Sequence, residues 1–212
     1  MPRRRPLRLS RQLGREQLLL LKRNARALDH LIVEWLHVIG PGVCCCVMHR
    51  SQEALVNGWL RANAPQLKVL PLVNNYDEAH SRWDPAAAEA VLGSASARAQ
   101  FASDIDRFVT GGHYAGVVLD LEQIPIDAQS DYVKLVDELA GIFRGRGLQL
   151  LVALAPDSTG YDYAGLAAAA DGADLDELRR AHRNRRPGAT GQPGLVRNRS
   201  GPASQRALPP TS

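Results

Sequence analysis

Two carboxylates stand two residues apart inside an apolar segment: Asp120 and Glu122, in the stretch Gly112–Pro125, GHYAGVVLDLEQIP. Around them, Ala115 to Leu121 has the length and branching of a buried strand, opened by a glycine-punctuated turn. Strand side chains alternate, so the spacing puts Val118, Asp120 and Glu122 on one face and Val117, Leu119 and Leu121 on the other. Two acids at the end of a buried strand are costly unless they are paired or used. Like charges that close push one proton affinity upward. A carboxyl becomes a general acid near neutral pH in this way, while its neighbour stays charged. The same spacing also occurs where a strand simply emerges into solvent, and D-x-E alone does not separate the two.

The elements that must position these acids can be read outward from them. Residues 17–29 have helical spacing at Leu18, Leu21, Ala25 and Leu28, and His30–Ile39 reads as a strand ended by Gly40-Pro41-Gly42. Val43–Met48 is a short apolar run of open type. Ser51–Ala64 reads as a helix, and Lys68–Val73 as the next strand, delivering Asn74, Asn75, Tyr76 and Asp77 at its C-terminal end. Asp84-Pro85 caps a helix through Leu92, and Ser96–Thr110 is a second amphipathic helix. Beyond Glu122, the loop Gln123–Gln129 leads to a helix from Ser130 to Phe143, the strand Leu148–Leu154 with Asp157 at its exit, and a short helix over Tyr163–Ala170. Periodicity fades from Gly172, although Asp174–Ala181 has the composition for one more helix.

Four strands alternating with helices argue for parallel α/β, either an open sheet or part of an eight-fold barrel. No glycine-rich phosphate fingerprint follows any strand, which disfavours a nucleotide-binding sheet. In a barrel, catalytic groups come from C-terminal strand ends. The polar residues collect there: Glu34 and His37, Asn74 to Asp77, Asp120 and Glu122, and Asp157.

With 212 residues, 45% hydrophobic and 23% charged, the chain is long enough for one domain with a sizeable core. No apolar run reaches the roughly 20 residues of a membrane span. The patch Leu18–Leu21 is shorter than the roughly 7–15 residues of a signal-peptide core. The sequence as written therefore predicts no transmembrane segment and no signal peptide, and reads as cytoplasmic. Cys44-Cys45-Cys46 has neither a metal nor a redox spacing, so no metal and no cofactor is expected.

The net charge of +4 hides a partition. Residues 1–26 carry nine Lys/Arg against one acid, a net +8, and residues 178–212 carry eight Arg and no acid, also +8. The body between them holds nine basic and 21 acidic residues, a net −12. Ends of this kind read as phosphate-binding arms, as solvated disordered tails, or as GC-rich DNA translated out of frame. No aromatic interleaves either end, so specific nucleic-acid recognition is not expected. Composition predicts disorder over 1–16 and in an Arg/Pro/Gly-rich tail over 172–212.

Gly116-x-x-x-Asp120-x-Glu122 resembles the D-G-x-D-x-D-x-E signature on the fourth strand of family-18 glycoside hydrolases, the chitinase-like TIM barrels. The segments LKRNARALDHLIVEWLHV (Leu21–Val38), VLPLVNNYD (Val69–Asp77) and YAGVVLDLEQIP (Tyr114–Pro125) are similar to a bacterial subgroup. In that subgroup the domain is fused to polysaccharide-deacetylase and family-2 glycosyltransferase units, and its place is extracytoplasmic, at the cell envelope. The resemblance implies a partial (β/α)8 TIM barrel, about strands two to five, over residues 17–171. It implies a polysaccharide of β-linked N-acetylhexosamine as substrate, cleaved with the substrate's own acetamido carbonyl as nucleophile. Glu122 matches the acid that protonates the leaving oxygen, and Asp120 the residue that orients the acetamido group. Asn74, Asn75, Tyr76, Asp77 and Glu34 are then the expected substrate contacts.

This sequence departs from the signature at Val118 and Ala115, where the family has its other two acids, and no Tyr-Asp pair follows Asp171. Those departures keep two other readings open: a catalytically silent barrel fragment that still binds sugar, and a basic-tailed nucleic-acid binder.

Overall fold

The computed structural model describes residues 7–9, 15–38, 45–47, 50–154 and 161–174. Nine strands and six α-helices follow one another among them: β1 (Leu7–Leu9), α1 (Arg15–Asn24), β2 (His30–Val38), β3 (Cys45–Val47), α2 (Arg50–Asn63), β4 (Lys68–Asn74), β5 (Tyr76–Asp77), β6 (Arg82–Trp83), α3 (Pro85–Leu92), α4 (Ala95–Gly111), β7 (Gly116–Asp120), α5 (Gln129–Arg144), β8 (Gln149–Ala153), α6 (Tyr163–Ala169) and β9 (Gly172–Asp174). The main sheet runs β1-β2-β4-β7-β8-β9, every neighbouring pair parallel, with β3 antiparallel on the end of β2. Consecutive parallel strands joined by helices make an arc of a (β/α)8 barrel, and β7 is its fourth parallel strand.

The two faces of the arc differ in a way that the side chains explain. Leu31, Val33, Val73, Val117, Leu119, Leu150 and Val152 join the large core with helix residues such as Leu21, Leu60, Val91, Phe101, Ile105, Leu135 and Phe143. Alternate strand residues Ile32, Leu70, Leu72, Val118 and Ala153 form a separate small cluster made of strand side chains alone. The first face is the helix-covered outside of the arc and the second its concave inside.

Local signals account for most helix ends. Ser94 caps α4 on Ala97 N at 3.1 Å, and Asp162 caps α6 on Gly165 N at 2.8 Å. Asp84 accepts from Ala86 N at 3.0 Å and Ala87 N at 3.2 Å, with Pro85 in the first turn of α3. Asp84→Ala is expected to cost about 1 kcal/mol, lowering the midpoint of thermal unfolding by roughly 2–4 °C. Circular dichroism melts of the two proteins check this.

Four features depart from the sequence reading. β1 lies inside segment 1–16 and β9 inside the tail 172–212, both expected to be unpaired; β1 supplies a backbone ladder to Leu31–Val33 of β2, whose far end pairs with β3, and β9 supplies one to the edge of β8. Strand pairing depends on the backbone, so basic composition does not prevent it. The arc therefore holds six parallel strands where the sequence suggested about four. The open run Val43–Met48 contains β3. Tyr76–Asp77 and Arg82–Trp83 form a small antiparallel hairpin, with Tyr76 and Trp83 edge to face at 5.2 Å. Of the helix suggested over Asp174–Ala181 only Asp174 is described, as the end of β9; the rest of it, most of the basic tail and Asp157 lie outside the described residues.

Candidate active site

The end of β7 is the centre of the site. Asp120 closes the strand with 2% of its surface exposed, and Val118, two residues before it, belongs to the concave cluster. Strand alternation thus puts Asp120 on the concave face. On the neighbouring strands, His37, Asn74 and Asp120 stand side by side in register.

That row exists because β2 carries an irregularity between Glu34 and Leu36. Strict alternation would put Glu34 and His37 on opposite faces. The extra residue instead lets Leu36 face the outer core while Glu34 pairs opposite Leu72 and His37 opposite Asn74. Both buried groups therefore fall in line with the concave face, and Asn74 Nδ2 donates to Glu34 Oε1 at 3.0 Å. Four buried polar residues from three adjacent strands meet at the C-terminal end of the arc: Glu34, His37, Asn74 and Asp120.

Glu122 is placed by a different device. The ladder to β4 ends at Asn74 and Asp120, and that to β8 at Leu119 and Val152. Leu121 remains in the outer core beside Leu119, so the extended alternation persists one residue past the ladder. Asn75 then takes over: its Oδ1 accepts from Glu122 N at 2.9 Å, and its Nδ2 donates to Glu122 O at 2.9 Å. Asn75 is fully buried, so this expected substrate contact is spent on holding the chain. Directly after Glu122 the chain turns through Gln123, at φ +55°.

The other two residues of that segment sit further out. Tyr76 and Asp77 belong to the hairpin, half-buried, with the Asp77 carboxylate hydrogen-bonded to His80 Nδ1. That bond from His80 holds Asp77 below its ordinary carboxyl range. The hairpin stands directly beyond Asn75, so it forms the rim of the site.

Two tyrosines that the sequence reading passed over complete the surroundings. Tyr132, in the first turn of α5, is fully buried and packs edge to face with Tyr161 at 6.4 Å. Tyr161 donates to Leu121 O at 3.0 Å. Burial raises both phenols, with a further push from the charges of Glu122 and Asp120, so both are neutral at ordinary pH. Helical spacing gave Tyr132 away in principle, since it leads the buried series Tyr132, Leu135, Val136, Leu139. Nothing local marks Tyr161.

The buried phenols carry a pH consequence. Tyr114 is raised as well, by burial and then by its hydrogen bond to Glu53. Folded values above the unfolded value of about 10 stabilise the protein below that pH and cease to do so as pH rises. Tyr132 alone is expected to remove up to ~1.4 kcal/mol of stability for each pH unit above 10, and Tyr114 and Tyr161 act with the same sign. Alkaline unfolding followed by circular dichroism should therefore coincide with the late part of tyrosine ionisation at 295 nm. Ionisation of all five tyrosines before unfolding would contradict it.

Among the described residues no cluster of His, Cys, Asp and Glu could hold a metal ion, and no helix is long and apolar enough to cross a membrane. What the arrangement can do is chemistry by carboxyl groups: a buried acid in a polar row, a second acid clamped beside it, and neutral phenols behind.

No family model matches the chain, and no curated protein does. Solved structures do. A class V chitinase from Pseudomonas fluorescens Pf-5 superposes with TM-score 0.67 at 20% identity over 73% of this chain and 48% of its own. A chitinase from Chromobacterium violaceum gives 0.69 at 19% identity, over 82% of this chain and 56% of its own. The spore cortex-lytic enzyme SleL of Bacillus megaterium gives 0.65 at 15%, over 82% and 42%. The chain spans about half the length of the structures it matches. Its fold is that of the chitinase-like glycosidases.

Proposed function

We propose that this chain is a glycosidase domain of the family-18 type, acting on a polysaccharide of β-linked N-acetylhexosamine by substrate-assisted acid catalysis. The observation that carries the reading is the placing of Asp120 and the clamped Glu122 at the C-terminal end of the fourth parallel strand. Glu122, protonated, gives its proton to the glycosidic oxygen as the bond from that oxygen to the anomeric carbon breaks. The acetamido carbonyl oxygen of the same sugar attacks the anomeric carbon from the opposite side. Asp120, charged, accepts the acetamido N–H and balances the positive charge that develops there. Water then opens the cyclic intermediate, and Glu122 takes back a proton.

The polar row Glu34, Asn74 and His37 supports the carboxylate end of this arrangement, and the rim residues Tyr76 and Asp77 are the proposed sugar contacts. The solved neighbours include chitinases and spore cortex-lytic enzymes, which agrees with an acetylated sugar polymer as substrate. Association with deacetylase and glycosyltransferase units at the cell envelope would fit the same polymer.

A second reading is favoured by Val118, which stands in the concave cluster where the family signature has an acid that shares a proton with Asp120. Without that acid, the domain binds sugar and turns it over weakly or not at all. Incubation with β-1,4-linked N-acetylglucosamine oligomers separates the two. Shortened products by mass spectrometry support the hydrolase. Saturable binding without products supports the sugar-binding domain, and the absence of both products and binding overturns both readings.

A further inference from the structure

Asn75 does more than its type and place in the sequence require. β4 ends at Asn74, and β7 at Asp120, yet the Asn75 side chain continues their pairing by one step. Its amide presents one acceptor and one donor to the peptide of Glu122, both at 2.9 Å, as a neighbouring strand would. The second Nδ2 hydrogen goes to Asp84 O at 2.8 Å, and Asp84 N returns a bond to Asn75 O at 2.8 Å. One buried amide thus ties the end of β4, the end of β7 and the start of α3. Only an amide of this length can both give and accept at that point. Aspartate has the shape but, when ionised, faces two carbonyl oxygens with no hydrogen to give, and glutamine is longer by a methylene.

We propose that Asn75 is the positioning residue of the acid: it fixes the backbone of Glu122, and with it the height at which the carboxyl stands beside Asp120. The catalytic half of this proposal rests on the function proposed above, whereas the clamp itself does not. A mispositioned general acid loses rate while sugar binding, made elsewhere on the rim, persists.

Two measurements on the whole chain test it, using N75A and N75D against wild type. In amide hydrogen exchange followed by NMR, the Glu122 N–H is expected to exchange at least about tenfold faster in N75A, because its acceptor Asn75 Oδ1 is gone, whereas N75D keeps an oxygen to accept from it and loses the donor to Glu122 O. Val118 and Leu119 N–H should keep their protection. Unchanged protection at Glu122 in N75A overturns the clamp, and so does an equal loss at Val118 and Leu119, which would mean general loosening. In oligomer hydrolysis, kcat is expected to fall by about a hundredfold with KM within about twofold. An unchanged kcat, or a loss carried by KM, overturns the positioning role. Absence of turnover by the wild-type chain counts against the hydrolase reading instead and overturns the catalytic half with it, while the exchange result still decides whether Asn75 holds Glu122.

Discussion

Glu122→Gln is expected to lower hydrolysis of an N-acetylhexosamine oligomer by about 10²–10⁴-fold, the usual worth of a positioned general acid. The amide keeps the size and backbone of glutamate, so the Asn75 clamp, which reaches residue 122 only through its backbone, is left intact. What is lost is the proton for the leaving oxygen. The loss should therefore depend on the leaving group. A nitrophenyl glycoside, whose phenolate departs unaided, should retain most of its rate in the variant, while a sugar leaving group should not. The pH–rate profile of the wild type should fall on its alkaline side as Glu122 ionises, and that limb should vanish in the variant. Kinetics on the two substrates check this, and equal losses on both would remove Glu122 from the role of acid.

Gly116→Ala is expected to be the most damaging single methyl in the described fold. Gly116 opens β7 at φ +152°, and a Cβ there would lie 1.9 Å from the carbonyl oxygen of Gln149, its register partner on β8. The obstacle is backbone on a central parallel strand, so it cannot rotate aside. Overpacking and the strained φ together cost about 4 kcal/mol, or roughly 8–16 °C in thermal midpoint. Gly58→Ala is the control. No atom lies within 4 Å of a Cβ at Gly58, which sits exposed in α2, so that change should be neutral or stabilising by up to about 1 kcal/mol. Thermal unfolding of both variants decides it, and equal midpoints would mean that β7 and β8 can shift to admit the methyl. Because Asp120 is four residues further along the same strand, the Gly116 substitution is also expected to disturb the site from below.

The fold was legible where burial follows period. Strands β2, β4, β7 and β8 are short apolar runs bounded by turn signals, and helices α2 to α5 show apolar spacing on one side. Asp84-Pro85 was readable as a cap because the side chain and the proline act locally. Harder to read were the features that depend on a neighbour. β1 and β9 have three residues each and no periodicity, and they exist through their ladders to β2 and β8.

The site was legible in part for the same reason. Asp120 follows from alternation with Val118, and the gathering of Glu34, His37 and Asn74 from strand ends meeting, whereas the Asn74–Glu34 hydrogen bond was not expected. The irregularity in β2 that lines up His37 with Asn74 leaves no mark in composition, and Tyr161 reaches Leu121 O across 40 residues of sequence. Asn75 was expected to touch substrate because a polar residue after a strand end ordinarily faces the opening. Its burial against the peptide of Glu122 is a tertiary fact.

The proposed function requires Asp120 and Glu122 to act on a substrate that supplies its own nucleophile. The most direct test compares Asp120→Asn with wild type on fully acetylated and on deacetylated oligomers of the same length. Only the acetylated sugar offers a carbonyl oxygen for Asp120 to orient. The expected result is cleavage of the acetylated oligomer by the wild-type chain, a loss of at least about 10²-fold in Asp120→Asn, and no measurable cleavage of the deacetylated oligomer by either. Cleavage of both oligomers at similar rates, or an Asp120→Asn variant that cleaves the acetylated oligomer as fast as wild type, would contradict it.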